Sequence, residues 1–462
     1  MERQGLSFFP FVGHSGNDDP FSRHALESPP APFAPIITTE EIVLIRAGNP
    51  MTIHRPSASG AQIGPLAPNR PPVLPDATAA LAAAHALADH IAPLAAERDR
   101  DRILPWREIE AFTALGLGSI LVPRAYGGSG LGYETLAQVF EIICTADSSV
   151  GQIPQNHFGV LQLLTEAGTE AQKRRFFGDV LAGHRIGNAG PEKSRAVVTH
   201  NTTGLRDTPK GLRLSGQRFY STGAIFAHWI PTRANDPQGR PVQVWVPRDA
   251  PGVRIVDDWD SFGQRTTASG TVIFDDVPIA DDQIIPVWQR VDIPGLAGPV
   301  SQLIQAAIDS GIALGAFADT LEFLRTRARP WVDSGVARAV DDPYVIAEVG
   351  QLQIGIHAAQ AVLRRAARLL DEIAAAPVTA ESSARASVAV AEAKVLTSEI
   401  ALEASEKLFE LAGSAATRAR PNLGRHWRNA RVHTLHDPLR WKLHLLGNWH
   451  LNGALPARHQ WN

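Results

Sequence analysis

The run Trp427-Arg428-Asn429-Ala430-Arg431-Val432-His433-Thr434-Leu435-His436-Asp437-Pro438 gathers two histidines, two arginines and an Asp-Pro within twelve residues. Imidazole titrates close to neutrality, so a histidine pair can hold and move protons at working pH. Three-residue spacing in a helix puts His433 and His436 on one face, and Arg428 and Arg431 likewise. A solvated basic helix end would carry the same residues, since positive charge is favoured at a helix C-terminus. Five further clusters bear on the choice. Gln152, Gln155, Asn156 and His157 set polar groups between two apolar helical stretches, as caps or satisfied core amides also would. Asn188 lies in Gly187-Asn188-Ala189-Gly190-Pro191-Glu192, where turn chemistry is the plain alternative. Ser221-Thr222-Gly223-Ala224 follows a strand-like run and offers hydroxyls and backbone N–H groups. Trp259 stands among Asp257, Asp258 and Asp260, where core anchoring competes with a site role. Arg325, Arg327 and Arg329 precede Pro330-Trp331; a guanidinium suits a phosphate, and an exposed helix end explains them equally well.

These groups need elements to position them. Asp76 is placed to cap a helix in which Leu81, Ala84, Ala88, Ile91 and Ala95 recur at helical spacing. Trp106 to Leu115 predicts a second helix closed by Gly116, and Tyr133 to Thr145 and Phe158 to Glu166 continue the pattern. Between them, 122–131 is a Pro/Gly loop. The middle of the chain changes period. Gly211–Gly216, Val242–Val246, Val253–Val256 and Thr271–Phe274 are short strand-like segments split by Gly, Pro and Asp, which predicts an antiparallel β-domain. Beyond Pro299, long helical stretches run near 301–328, 343–375, 383–412 and 425–447, as in a four-helix bundle. The expected class is α+β, mainly α. Its parts are a Pro-rich disordered lead-in over 1–75, a helical domain over 76–185, a β-domain over 186–298 and a bundle over 299–462.

With 462 residues, 44% hydrophobic and 20% charged, the chain has the composition of an ordinary globular protein. A net charge of -3 gives no drive toward nucleic acid or an anionic membrane. The single cysteine, Cys144, excludes an intrachain disulfide and sits in an apolar run as a small buried hydrophobe. No uninterrupted apolar run nears the roughly 20 residues that span a bilayer. The N-terminus lacks the pattern of a secretory leader, so the cytoplasm is the expected compartment. Residues 1–75 hold 13 of the 34 prolines, and Met51 offers an alternative start. Walker, Gly-x-Gly-x-x-Gly, His-Glu-x-x-His and Gly-x-Ser-x-Gly motifs are absent, so a flavin here would be held outside a Rossmann frame.

Taken in order, Gly187-Asn188-Ala189, Phe219-Tyr220-Ser221-Thr222-Gly223-Ala224, Asp257-Asp258-Trp259, Ala328-Arg329-Pro330-Trp331 and the 427–438 run resemble the acyl-CoA dehydrogenase fold. The resemblance is to its flavin-dependent monooxygenase branch, in the dibenzothiophene monooxygenase and sulfur-acquisition group, and covers roughly residues 75–455. It implies an N-terminal helical domain, a central β-barrel-like domain and a C-terminal four-helix bundle, assembled as a homotetramer. It also implies reduced FMN, favoured over FAD, supplied by a separate NAD(P)H-dependent flavin reductase. With O2 this would give a C4a-hydroperoxyflavin that oxygenates a small organosulfur compound. By the same resemblance Asn156, Asn188, Ser221, Thr222 and Trp259 line the flavin or substrate pocket. Arg329 reaches the flavin phosphate of a neighbouring subunit, and His436, His433 and Thr222 act near the reactive edge of the flavin. No metal is expected.

The chain departs from the family it resembles at Pro191, where many members carry Ser, and at Thr222, which is Ser in the dibenzothiophene enzyme. Gly413-Ser414-Ala415-Ala416 lacks an arginine found there in that enzyme. The Tyr-Glu-Gly-Thr segment that supplies a carboxylate base in many acyl-CoA dehydrogenases is replaced by Thr434-Leu435-His436-Asp437-Pro438. Alternatives stay open: an acyl-CoA dehydrogenase with its base at Glu348, Glu392 or Glu399, an N-oxygenase, or a flavin-free scaffold.

Overall fold

A computed structural model describes residues 70–193 and 202–462 of the chain. Most of the Pro-rich lead-in, with Met51, lies outside the described residues; 70–75 run without helix or strand.

Seven helices come first: α1 (Ala77–Ile91), α2 (Ala95–Asp101), α3 (Trp106–Ala114), α4 (Tyr133–Ala146), α5 (Ser148–Gln152), α6 (Gln155–Ala167) and α7 (Glu170–Leu181). The Asp76 carboxylate accepts from the Ala79 N–H at 2.9 Å and so caps α1 as its residue type dictates. Five longer or broken elements close the chain: α8 (Ala297–Thr326), α9 (Pro343–Ala374), α10 (Ala380–Ala412), α11 (Gly424–His433) and α12 (Leu439–Asn452). Thr379 and Ser382 cap α10 reciprocally, and Pro343 opens α9 where its missing N–H costs nothing.

The stretch expected as one helix over 425–447 is two. The chain leaves α11 at His433, turns through Thr434 to Asp437 and restarts after Pro438. Proline disfavours helical geometry in the residue before it, which ends α11 ahead of Asp437. His436 therefore lies in the turn, not on a helix face shared with His433.

Seven strands form one sheet in the order β5-β6-β2-β1-β3-β4-β7: β1 (Gly204–Thr208), β2 (Gly211–Arg218), β3 (Trp229–Asn235), β4 (Pro241–Pro247), β5 (Val253–Val256), β6 (Thr271–Ile279) and β7 (Ile284–Ile285). Neighbours are antiparallel except β1 and β3, which run parallel, so the sheet is mixed and not the purely antiparallel one expected. β5 and β7 are its edges, and among the described residues hydrogen bonding does not close it into a barrel. The parallel pair follows from the connection between β2 and β3. The ten residues from Phe219 to His228 cross past β1 without a hairpin, and it is this crossing that carries Ser221 and Thr222.

One hydrophobic core joins α1, α3, α4, α6 and α7 to α8, α9 and α10, and takes in Trp229, Trp245 and Ile285 from the sheet. Phe176 of α7 stacks on Trp245 with ring centroids 4.0 Å apart, which seats the sheet on the helices. A second core of Leu214, Ile230, Val244, Phe274 and Val277 belongs to the sheet. α8 is buried along most of its length and is apolar nearly all round, as a central helix must be. By length and hydropathy it would also pass for a membrane span, but 89% of that window is buried inside the protein. Cys144 is buried beside Gly151 and Gly311, as a small hydrophobe.

Candidate active site

α5 is the hub. The Asp147 carboxylate caps it by accepting from the N–H groups of Ser149 and Val150 at 3.0 and 3.2 Å. Buried Arg98 holds that carboxylate from the other side, with Nη2 at 2.9 Å. From this short helix contacts run to each other part of the site. Ser148 Oγ accepts from Asn429 Nδ2 of α11 at 3.0 Å, and Asn429 Oδ1 accepts from the Gln264 N–H at 2.7 Å. Gln152 Nε2 lies 3.2 Å from His436 Nε2. Ile153, just past α5, backs the turn at Gly223, where φ is +77° and an added Cβ would sit 3.0 Å from the Ile153 carbonyl oxygen. Glycine is required there for both reasons.

The two histidines meet although they do not share a helix face: their ring centroids are 4.8 Å apart. His436 Nδ1 is 2.7 Å from the His433 carbonyl, which can only accept, so Nδ1 carries the proton and Nε2 receives the Gln152 amide. His436 is exposed to solvent, although His433 and the Gln152 amide stand against its ring. That packing, with His433 beside it, pushes its pKa down. His433 is fully buried, and its Nδ1 lies 2.5 Å from Asp309 Oδ1 of α8. Asp309 Oδ2 takes Lys394 Nζ at 2.6 Å and Ser398 Oγ at 2.7 Å, both from α10. Burial alone would raise the Asp309 carboxyl, yet Lys394 and His433 outweigh it and hold it well below the usual carboxylate range. For His433 burial wins: its pKa falls despite Asp309. Its Nε2 is buried with no partner among the described residues.

On the sheet side Thr222 and Ser221 sit in a turn begun by Tyr220 at φ 53°. Thr222 Oγ1, Ser269 Oγ and Thr267 Oγ1 form a chain at 2.7 and 2.8 Å, and Thr267 reaches the Gln264 carbonyl at 2.9 Å. A carbonyl has no proton to give, so Thr267 donates to it, Ser269 donates to Thr267, and Thr222 donates to Ser269. Thr222 Oγ1 is thereby left with lone pairs only. Trp259 Nε1 donates to the same Gln264 carbonyl at 2.9 Å, and its ring meets Tyr220 edge-on at 6.0 Å. Ser221 Oγ, both side-chain atoms of Gln264 and Gln152 Oε1 are buried without partners among the described residues. Buried polar atoms are nearly always satisfied, so each of these is open to a polar partner.

Other expected residues fall differently. Asn188 is half-buried, with its side-chain nitrogen 3.5 Å from the Tyr220 carbonyl, so it borders the Ser221–Thr222 turn. Asn156 is half-buried on α6, one turn from Gln152, while Gln155 is buried. His157 is structural: Nε2 donates to the Gly118 carbonyl at 2.7 Å and Nδ1 accepts from the Ile186 N–H at 3.1 Å. A small, mainly apolar cavity beside it, lined by Ile109, Phe112 and Phe226, holds none of the orphaned atoms above. Arg428 is spoken for by Asp99, Asn422 and the Phe262 carbonyl. Arg329 is exposed beyond the end of α8. At ~1.5 Å per residue it stands about 25 Å or more along that helix from Asp309, too far to join this chain's own histidines.

Asp309, Lys394, Ser398, Ser269 and Gln264 were not foreseen. A signal existed for two of them. Asp309 interrupts an apolar helical run, and Lys394, one of few lysines, lies among Ala and Val; charges so placed must be buried and paired. Gln264 carried none.

Two domain families match the chain: acyl-CoA dehydrogenase, N-terminal domain, over residues 77–184, and acyl-CoA dehydrogenase, C-terminal domain, over 303–441. Dibenzothiophene monooxygenase of Rhodococcus qingshengii is 32% identical over 391 residues, 81% of this chain and 94% of its own length. Probable FMNH2-dependent monooxygenase SfnC of Pseudomonas putida is 31% identical, covering 82% of this chain and 96% of that protein. The crystal structure of FMN-bound TdsC from Paenibacillus sp. A11-2 superposes with a TM-score of 0.80 at 30% identity, covering 83% of this chain and 100% of that one. Similarity along nearly the whole length of these relatives, on the same fold, establishes that the chain belongs to the acyl-CoA dehydrogenase family, on the branch that holds dibenzothiophene monooxygenase.

Proposed function

We propose that this chain is the oxygenase of a two-component system. It takes reduced FMN from a separate NAD(P)H-dependent reductase and uses O2 to oxygenate a small organosulfur compound. The observation that carries this reading is the buried set of unpartnered polar atoms on His433, Gln152, Ser221 and Gln264, within a chain similar to FMNH2-dependent and dibenzothiophene monooxygenases.

The residues present fit FMN. The pyrimidine edge of a flavin alternates donors and acceptors, and the Gln264 amide and Ser221 hydroxyl offer both. Trp259 and Tyr220 supply aromatic surface, and Asn156, Asn188, Ser221 and Thr222 would hold the ring system. Arg329 would reach the phosphate of a flavin on a neighbouring copy, which agrees with its exposure and its distance from its own histidines and supports a homotetramer. When bound, the flavin supplies the electrons and the activation of O2. The chain supplies the rest. Thr222 presents an acceptor, because Ser269 takes its proton. Neutral His433 presents Nε2 as a second acceptor. His436 is held by Gln152 and the His433 carbonyl at the more open side, where it can pass protons to solvent. Burial of the orphaned atoms would keep water away from a bound flavin. This reading keeps a helical part over 76–185, a β part over 186–298 and a helical part over 299–462, in a cytoplasmic enzyme.

A dehydrogenase would need a carboxylate at the site, and the candidates are elsewhere. Glu348 pairs with Lys407 at 3.0 Å, Glu392 pairs with Arg365, and Glu399 is exposed. On α10, Glu392 and Glu399 stand ~140–160° around the helix from Lys394, at about 100° per residue.

The test is turnover with FMN, NADH, a flavin reductase and 18O2 against a panel of dibenzothiophene, dialkyl sulfides and sulfoxides, alkanesulfinates and an amino sugar. Incorporation of one 18O at sulfur is expected. Label at nitrogen, or FMN bleaching by acyl-CoA without oxygenation, would overturn the organosulfur reading.

A further inference from the structure

Asp309 is a fully buried carboxylate on the most apolar long helix of the chain. Apolar residues of similar volume would hold α8 and α10 together about as well as a buried ion pair does. The arrangement around it is specific. Lys394 and Ser398, one turn apart on α10, both take Oδ2, which leaves Oδ1 for His433 alone. A carboxylate only accepts, so a His433 proton must be on Nδ1, and in the neutral ring the lone pair is then on the buried, unpartnered Nε2.

We propose that Asp309 and Lys394 are positioning residues that keep His433 a neutral imidazole protonated at Nδ1, so that Nε2 is the standing proton acceptor of the site. The two residues do different work. Asp309 selects the tautomer and aims the ring. Lys394 cancels the carboxylate charge, so that Asp309 orients His433 without drawing a second proton onto it. A lone buried carboxylate at 2.5 Å would favour the imidazolium, which has no lone pair to offer. Around His433 the charged and titratable groups are Asp309 on α8, Lys394 on α10, and His436 and Asp437 in its own turn. Asp437 is paired with Lys442 of α12 at 3.3 Å, and α5 contributes only the uncharged Gln152 by way of His436. Of these groups only Lys394 offsets Asp309 directly.

The role in oxygenation rests on the function proposed above; the tautomer does not, and it is measured on flavin-free protein. Protein with 15N in the histidine rings is recorded by solid-state NMR, with His433 assigned by its loss in His433→Gln. Wild type is expected to show one protonated and one bare ring nitrogen at pH 7, with the proton on Nδ1. In Lys394→Met the His433 midpoint should rise by about one pH unit or more, tenfold in protonation equilibrium. Lys394→Arg keeps the charge and should restore the wild-type spectrum. The acid limb of kcat/KM should move up in Lys394→Met and return in Lys394→Arg, with KM for the sulfur substrate little changed. A proton on Nε2 in wild type overturns the proposal, and so does an unmoved midpoint in Lys394→Met. Should Lys394→Met fail to fold, the wild-type tautomer and the Lys394→Arg midpoint, which must match wild type, decide it. A chain that shows the tautomer but incorporates no 18O would retain this device while refuting the oxygenase reading.

Discussion

Acid should weaken this protein through histidines that the fold keeps neutral, and His157 gives the effect a size. Its imidazole is fully buried between the Gly118 carbonyl and the Ile186 N–H, and burial lowers its pKa from 6.5 to about 4. The unfolded chain binds this proton near pH 6.5 and the native chain only near 4, so between those values the unfolded state holds more protons. The contribution of His157 is therefore complete above pH 6.5 and is lost as pH falls through that window toward 4. Between pH 7 and pH 5 the linkage amounts to about 2 kcal/mol from this one residue. His228, lowered to about 3, and His426, His433 and His436, shifted the same way, add to the slope. His157→Gln isolates the share of His157, because the other histidines remain in both proteins. The variant should lose ~1–3 kcal/mol at pH 7 from an imperfectly met backbone partner. Its further loss on going to pH 5 should be smaller than that of wild type by about 2 kcal/mol. Urea unfolding at both pH values, with m compared to confirm that the same surface is exposed, reads this directly. Equal acid losses in the two proteins would refute the reasoning and assign the slope to other groups.

Gly151→Ala should destabilise by ~1–3 kcal/mol, since an added Cβ would lie 2.2 Å from Cys144 Sγ. Cys144→Ala in the same chain removes that sulfur and should recover most of the loss in a thermal melt; no recovery would show that the helix backbone itself is crowded. Arg329→Ala should weaken FMN binding about tenfold, ~1.4 kcal/mol, in a fluorescence titration. Because Arg329 is exposed, the melting of the flavin-free protein should stay within ~0.5 kcal/mol of wild type. Unchanged affinity would remove Arg329 from the flavin site.

The helices were legible because their signals are local. Asp76 caps α1, Pro343 opens α9, and apolar residues recur at three and four positions through α8 and α10, all within a few residues of the contacts they make. Strands β2, β4, β5 and β6 were visible for the same reason. β3 was not, because Pro231 argues against an interior strand; its partner on that side is partly the irregular 186–189 segment, whose bridges spare the proline. β1 is short and polar and β7 has two residues, too little for any period to show. The long fourth helix was overread, since His433 to Pro438 keeps a helical residue pattern until the proline.

By itself the sequence named the candidate site residues: the two histidines, the Ser221–Thr222 hydroxyls, Trp259 and Arg329. Only the tertiary structure decided their chemical states. Asp309 lies 124 positions from His433 and 85 from Lys394, and neither distance leaves a trace in local spacing. Whether an imidazole is neutral, and on which nitrogen, depends on what stands within about 3 Å of it and on how much water is excluded. Whether the Thr222 hydroxyl donates or accepts depends on a chain of hydroxyls that ends at one carbonyl, that of Gln264. Side-chain identity is written in the chain, while protonation and hydrogen-bond direction belong to neighbours that folding alone brings together.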